Sequence, residues 1–357
     1  MQFPEFDLLH MFVDGQPPKY NISFSDMIPS TLSDVGIKFE EADLGKTSVH
    51  GSLELRKLLG GHADVPPENV IVTSSCSEAN LDVCASMLRP GDEAIVVMPN
   101  YPPLRDLPIG VGAKTKLFWL NPEDDFQLDL KALRKALTKR TKLVIMTNLN
   151  NPTSSMVTAD QLEELAAMAD KGDFHVFCDE TFKELAFEKQ PPSAGTFGER
   201  MIVTNTMSKV YGMGALKVGW IFADGTAKSR ILNFTEYNTV SPPYLSELIA
   251  IEVMKNKKKF VERARGILNR NRPIVQEWLE RNEKVHWNDR GMGNIAFPKV
   301  DANIDLLAAV LLKKYSTVIA AGKYFGVPDR FRLGFGRDAE GLAAGLENFD
   351  KAMKVLG

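Results

Sequence analysis

The sequence predicts an α/β fold in which a large domain, built on a mostly parallel sheet flanked by helices, is joined to a smaller α+β domain. Three observations carry this. From about residue 50 to 225, short continuous apolar runs alternate with amphipathic segments of helical period, the pattern of strands buried on both faces beneath covering helices. After about 225 the texture changes to long helices, then a few short strands and a closing helix. The 357 residues, 44% hydrophobic and 25% charged, suffice for one large core and a second smaller one. The expected division is 40–260 for the large domain, with 1–39 and 261–357 forming the small one.

Taken in order, 52–59 reads as a helix, 70–73 as a strand, 78–88 as a helix and 93–98 as a buried strand. The alternation continues with a helix at 128–138, a strand at 143–147, a helix at 159–169 and strands at 175–178, 202–204 and 218–222. Long helices are expected over 227–254 and 260–283, with the cluster Lys257-Lys258-Lys259 reading as a solvated helix end. Strands near 294–297, 317–320 and 331–335 and a helix over 340–356 complete the small domain. No repeat or low-complexity linker intervenes, so the two domains should pack closely.

Lys and Arg total 43 and Asp and Glu 46, a formal net charge of −3, so no basic surplus favours a nucleic acid or an anionic membrane as partner. Apolar runs such as 306–312 are far shorter than the ~20 residues a membrane span needs. Residues 1–7 lack the basic start and unbroken apolar core of a secretory signal, which sets the expectation of a cytoplasmic protein. Cys76, Cys84 and Cys178 are odd in number and have no CxxC spacing, and the five histidines include no HExxH pair. Neither a disulfide framework nor a metal is expected.

In sheets of this kind chemistry sits beyond the carboxyl ends of the strands. After Val72 comes Thr73-Ser74-Ser75-Cys76-Ser77-Glu78-Ala79, small residues leading into a helix whose free N–H groups suit an anion, although Ser and Thr are also ordinary N-caps. After Met98 comes Pro99-Asn100-Tyr101-Pro102-Pro103, an aromatic in a stiff turn. Next come Asn148-Leu149-Asn150-Asn151-Pro152-Thr153, Cys178-Asp179-Glu180-Thr181-Phe182 and Thr206-Met207-Ser208-Lys209, the last running on to Lys217-Val218-Gly219-Trp220. Phe331-Arg332-Leu333-Gly334-Phe335 follows near the C-terminus. Singly each is a loop.

In this order they resemble the fold type I pyridoxal-phosphate-dependent enzymes, specifically the class I/II aminotransferases related to aspartate aminotransferase, from about Asn21 to the C-terminus. The resemblance implies pyridoxal 5′-phosphate as cofactor and amino transfer between an L-amino acid and a 2-oxo acid in a homodimer. It implies that Lys209 holds the cofactor covalently through its primary amine and moves the substrate α-proton. Asp179 pairs with the pyridine nitrogen, keeping the ring protonated and electron-poor. Asn151 donates to the phenolic oxygen and Tyr101 stacks on the ring. Cys76 and Ser77 through their backbone, and Thr206, Ser208 and Lys217 through their side chains, take the phosphate. Arg332 grips the substrate α-carboxylate by two parallel hydrogen bonds, with Arg330 and Arg337 as neighbouring alternatives, and Ser25 lies at the substrate.

Four positions depart from the aspartate aminotransferase pattern. Phe182 stands where a tyrosine normally donates to the phenolic oxygen, and Lys217 where an arginine normally forks onto the phosphate. Lys46 falls where a tyrosine reaches the neighbouring subunit's phosphate, and Glu236 near an arginine used for acidic substrates. An acid there disfavours a second carboxylate on the substrate. These departures keep open a lyase, oxidase or cyclising enzyme of the same fold, acting on a basic amino acid among other substrates. A non-catalytic cofactor-binding scaffold is the third alternative, although such a scaffold has no need of Lys209, Asp179 and Arg332 together.

Overall fold

The computed structural model describes residues 1–13, 17–37, 39 and 42–356. Residue 40, where the two domains are expected to divide, lies outside the described residues. Seven strands form the central sheet, in the spatial order Val70–Thr73, Gly219–Phe222, Met201–Thr206, His175–Asp179, Thr141–Thr147, Glu93–Met98 and Lys114–Trp119. Gly219–Phe222 runs antiparallel to both neighbours, and the other six share one direction. The mostly parallel sheet expected from the sequence is therefore present.

The continuous apolar runs are explained by two buried faces. Ile95 and Val97, with Val144 and Met146, point into one apolar layer, while Ala94, Val96, Leu143 and Ile145 point into the other. Helices Cys76–Met87 and Gly225–Asn238 cover the second layer through Ala79, Val83, Ala227 and Ile231. The first layer is continuous with the core formed by Lys257–Glu280, Ala339–Leu356 and the short strands. There Trp278 packs edge-on to Phe349 at 5.1 Å and donates from Nε1 to Asp350 at 2.7 Å. Phe331–Gly334 is flanked by Ile295–Ala296 and Ala320–Ala321, and Tyr20–Asn21 pairs in parallel with Thr317–Val318. At the N-terminus, Gln2 N–H donates to the Gly110 carbonyl at 3.3 Å and Phe6 meets the Tyr101 ring edge-on at 5.7 Å. Among the described residues no helix is long and apolar enough to cross a membrane.

Two expectations are corrected, and two elements stand where none was expected. The single helix over 227–254 is two, Gly225–Asn238 and Tyr244–Lys255, because Pro242 and Pro243 lack the N–H a continuous helix needs and force their predecessors into extended backbone. Helix Pro102–Gly110 and edge strand Lys114–Trp119 escape the sequence reading. The strand has a free edge and mostly exposed or half-buried residues, so its lysines interrupt the apolar run. Lys257 is not a solvated helix end: it is half-buried, with Nζ 2.5 Å from Glu184, whose other oxygen accepts from Tyr211 at 2.5 Å.

One close approach fixes how the C-terminal strands meet the chain before the sheet. Gly334 donates its N–H to the Ile22 carbonyl at 2.8 Å, and a Cβ added at Gly334 would lie 1.6 Å from the Phe24 carbonyl oxygen. Neither group is the end of a flexible side chain, so relief requires the strand to move. Gly334→Ala is expected to lower stability by about 1–3 kcal/mol, the usual range for an overpacked core, read as a lower urea midpoint.

Candidate active site

The parallel strands deliver their following residues to one end of the sheet. Asp179 closes the strand His175–Asp179, Asn151 follows Thr141–Thr147, Tyr101 follows Glu93–Met98, Lys209 follows Met201–Thr206 and Cys76 follows Val70–Thr73. Tyr101 feels the charges of Arg332, Asp179 and Asp26, which places these groups around one space. Burial carries its phenol well above its ordinary range.

Lys209 Nζ lies 2.6 Å from Asp26 Oδ1 and 3.4 Å from Ser25 Oγ. It sits 5.9 Å from the centre of the Phe182 ring, so Phe182 does stand beside the lysine. Burial pushes the Asp26 carboxyl up, but the Lys209 ammonium, helped by Arg332 and Arg337, outweighs this and holds it below its ordinary value. A cavity of about 440 Å³ opens beside this pair, bounded by Asp26, Ser208, Met213, Leu216 and Arg337.

Asp179 is buried and held from several sides. Oδ1 accepts from the Thr181 N–H at 2.9 Å, and Oδ2 accepts from Asn80 Nδ2 at 3.2 Å. Asn80 is itself aligned by the Thr204 hydroxyl, which donates to its Oδ1 at 2.7 Å. The Cys76 thiol lies 3.6 Å from Asp179 Oδ2, and burial together with that carboxylate raises it well above the ordinary thiol range. Cys76 is therefore a neutral neighbour of Asp179 and no nucleophile.

Arg332 is buried on strand Phe331–Gly334. Its Nε and Nη2 donate to the Ser23 carbonyl at 3.2 and 3.0 Å, and Nη1 donates to Asn151 Oδ1 at 3.1 Å. Burial lowers its pKa to about 10, with Tyr101 and Asp26 opposing the fall. No carboxylate forms an ion pair with it among the described residues, whereas Arg330 donates to the Phe297 carbonyl away from these groups.

The helix Cys76–Met87 starts here, capped by Ser75 Oγ, which accepts from the Glu78 N–H at 3.1 Å. The N–H groups of Cys76 and Ser77, first in the helix, have no protein acceptor among the described residues. Gly219 makes the cup possible: a Cβ there would lie 2.4 Å from Ser75 C and 2.6 Å from Cys76 N. Ser208 N–H donates to Thr206 Oγ1 at 3.2 Å, and Thr206 Oγ1 donates to the Val218 carbonyl at 2.9 Å, so the Thr206 hydroxyl proton is already committed within the loop. Lys217 is exposed, on left-handed backbone with φ 54°. Lys46 and Glu236 lie apart from these groups, Lys46 5.4 Å over the Tyr244 ring and Glu236 3.2 Å from His50.

Known proteins share this sequence pattern and fold. The sequence profile of "Aminotransferase class I and II" matches residues 42–349. The chain belongs to this family. It is similar to capreomycidine synthase of Streptomyces vinaceus, 29% identical over 303 residues that make up 83% of this chain and 77% of that protein. Aspartate/prephenate aminotransferase of Thermus thermophilus is 27% identical over 301 residues, 82% and 77% of the two chains. The solved structure of a PLP-dependent aminotransferase from Streptococcus suis superposes with a TM-score of 0.93 at 25% identity, over 100% of this chain and 99% of that one. As a class I and II aminotransferase, the protein uses pyridoxal phosphate to move amino groups between amino acids and 2-oxo acids.

The groups present fit that cofactor. The helix N-terminus with its two unpaired N–H groups suits the phosphate, Lys209 offers an amine, and the buried Asp179 offers an acceptor. Sequence reasoning missed Asn80, Asp26, Thr181 and Thr204. The one available signal was a polar Asn80 on a helix face that is otherwise apolar. Asn80→Ala removes an amide donor from buried Asp179, at a cost of about 1–3 kcal/mol, and equilibrium dialysis of pyridoxal phosphate against the apoenzyme should register this as weaker binding.

Proposed function

We propose that Lys209, Asp179, Asn151, Tyr101 and Arg332 form the transamination centre, with Cys76, Ser77, Thr206, Ser208 and Lys217 taking the phosphate and Ser25 beside the substrate. What supports this reading most is Arg332, a buried guanidinium given only neutral oxygens by the protein. A buried cation with no directly paired carboxylate among the described residues is costly, Asp26 acting on it only from a distance, and a substrate carboxylate supplies the direct partner in bidentate geometry. When bound, the cofactor offers an aldehyde to amines and an electron-poor ring that draws charge from the substrate α-carbon.

The chain's own groups divide the work around it. Arg332 and Asn151 fix the α-carboxylate end, so that the α-proton faces Lys209. Lys209 Nζ takes that proton and returns it, with the neighbouring Asp26 carboxylate stabilising Nζ while it is charged. Asp179, kept in place by Asn80 and Thr181, holds a proton on the ring nitrogen. Phe182 donates nothing, which leaves Asn151 as the side-chain donor to the phenolic oxygen.

A homodimer is part of this reading. Exposed apolar side chains concentrate on 32–53 and 237–245, including Leu44 at 76% and Tyr237 at 87% exposure, on segments that already touch through Lys46 and Tyr244. Such a patch suits a two-fold, self-complementary interface with Lys46 on it. A second reading, cyclising or lyase chemistry in the same centre, is favoured by the similarity to a protein named a synthase.

Borohydride reduction of the loaded enzyme followed by peptide mapping should find the pyridoxyl label on Lys209; a label on another lysine overturns the assignment. Release of one 2-oxo acid per site from an amino-acid screen without acceptor separates transamination from the second reading. Arg332→Ala should lose about 2–5 kcal/mol in kcat/KM through removal of a buried charge partner, while cofactor binding survives. Sedimentation equilibrium should give twice the chain mass, and a fully active monomer contradicts the shared interface.

A further inference from the structure

Beneath the phosphate cup, the helix Cys76–Met87 carries two carboxylates one turn apart, Glu78 and Asp82, facing the end of helix Gly225–Asn238. Glu78 is satisfied, accepting from the Ser74 N–H and the Thr239 hydroxyl. Asp82 is not. The residue is fully buried; Oδ1 accepts from Asn238 Nδ2 at 3.0 Å, while Oδ2, shut off from solvent, accepts from no described residue. A cavity of about 10 Å³, the space of one water-sized sphere, lies against it, walled by oxygen-bearing Thr73, Glu78, Asp82, Thr235, Thr239 and Ser241. The base on this wall, His50, stands 3.2 Å from Glu236.

We propose that this cavity binds a monovalent cation the size of potassium or ammonium, held by Asp82 Oδ2, Glu78 and the surrounding hydroxyls. The ligands are all hard oxygens, which favour hard cations over softer metals. Among the described residues no group of three or more His, Cys, Asp or Glu is placed to hold a metal ion, so hydroxyl oxygens complete the shell around Asp82 and Glu78. The sequence reading expected no metal because it looked for histidine and cysteine spacing, which such a site does not use. A proton is the competitor: burial and the adjacent Glu78 raise the Asp82 carboxyl to about 7, against the Asn238 hydrogen bond. Like charges at i and i+4 destabilise a helix, and here they also lower the positive potential of the N-terminus that takes the phosphate. A cation between them relieves both effects.

The test is thermal unfolding of the holoenzyme at constant ionic strength and about pH 8, above the ordinary carboxyl range, in potassium, ammonium or tetramethylammonium chloride. The expected result is a Tm several degrees higher, saturating with concentration, in potassium or ammonium than in the bulky cation. Cofactor affinity of the apoenzyme should rise several-fold in parallel. The difference should shrink toward pH 6 as protons occupy Asp82, with Glu78 and His50 the other titratable groups on the cavity wall and Glu236 beside His50. Asp82→Asn, which keeps the side chain's shape and removes its charge, should abolish the cation dependence. Equal Tm in all three salts, or an unchanged response in Asp82→Asn, overturns the proposal. If that variant does not fold, thallium NMR of the wild-type enzyme decides: a bound signal displaced by potassium supports the site, and no bound signal refutes it.

Discussion

A guanidinium sealed from water, with no carboxylate paired to it among the described residues, is the constraint on which the rest of the site depends. Arg332 can stay charged there only because Ser23 and Asn151 turn their oxygens toward it. Ser23 lies in the N-terminal segment, Asn151 at the end of a central strand, and Arg332 on a strand near the C-terminus. One side chain therefore ties three distant parts of the chain to a single point. Gly334, two residues on, is where this convergence becomes steric: its strand runs so near Phe24 that a methyl group does not fit.

The two carboxylates of the centre are governed by different physics. Asp26 is held in its ionised state by a direct ion pair with Lys209. Asp179 rests on hydrogen bonds from Asn80 and Thr181, groups with fixed dipoles and no charge to lose. One acid thus depends on the charge of a neighbouring lysine, while the other depends on neutral donors that do not change with pH.

The main sheet and most candidate residues were legible because each sits in a short loop directly after a strand, where apolar period and polar loop alternate sharply. The resemblance supplied roles that spacing alone could not. What stayed hidden obeys tertiary rules. Lys114–Trp119 is an edge strand, so its outer face carries no apolar signal. Lys257 reads as solvated until Glu184 is brought to it from a different element. Asn80 and Asp26 gain meaning only through partners about a hundred or more residues away, Asp179 and Lys209. The proline break between Asn238 and Tyr244 was local and readable, and the apolar period on either side masked it.

The reversed strand Gly219–Phe222 has a consequence for how the enzyme comes to be assembled. It separates Val70–Thr73 from Met201–Thr206 and is the partner through which Val70–Thr73 joins the sheet, with Val70 opposite Phe222. The strand that launches the phosphate helix therefore cannot be paired until a segment far along the chain has been synthesised and has doubled back. Closing so long a loop is slow relative to the local pairing of neighbouring strands. A nascent chain that ends before Gly219 lacks the strand that pairs Val70–Thr73 to the sheet, so the start of helix Cys76–Met87 is not held in place until that strand is made.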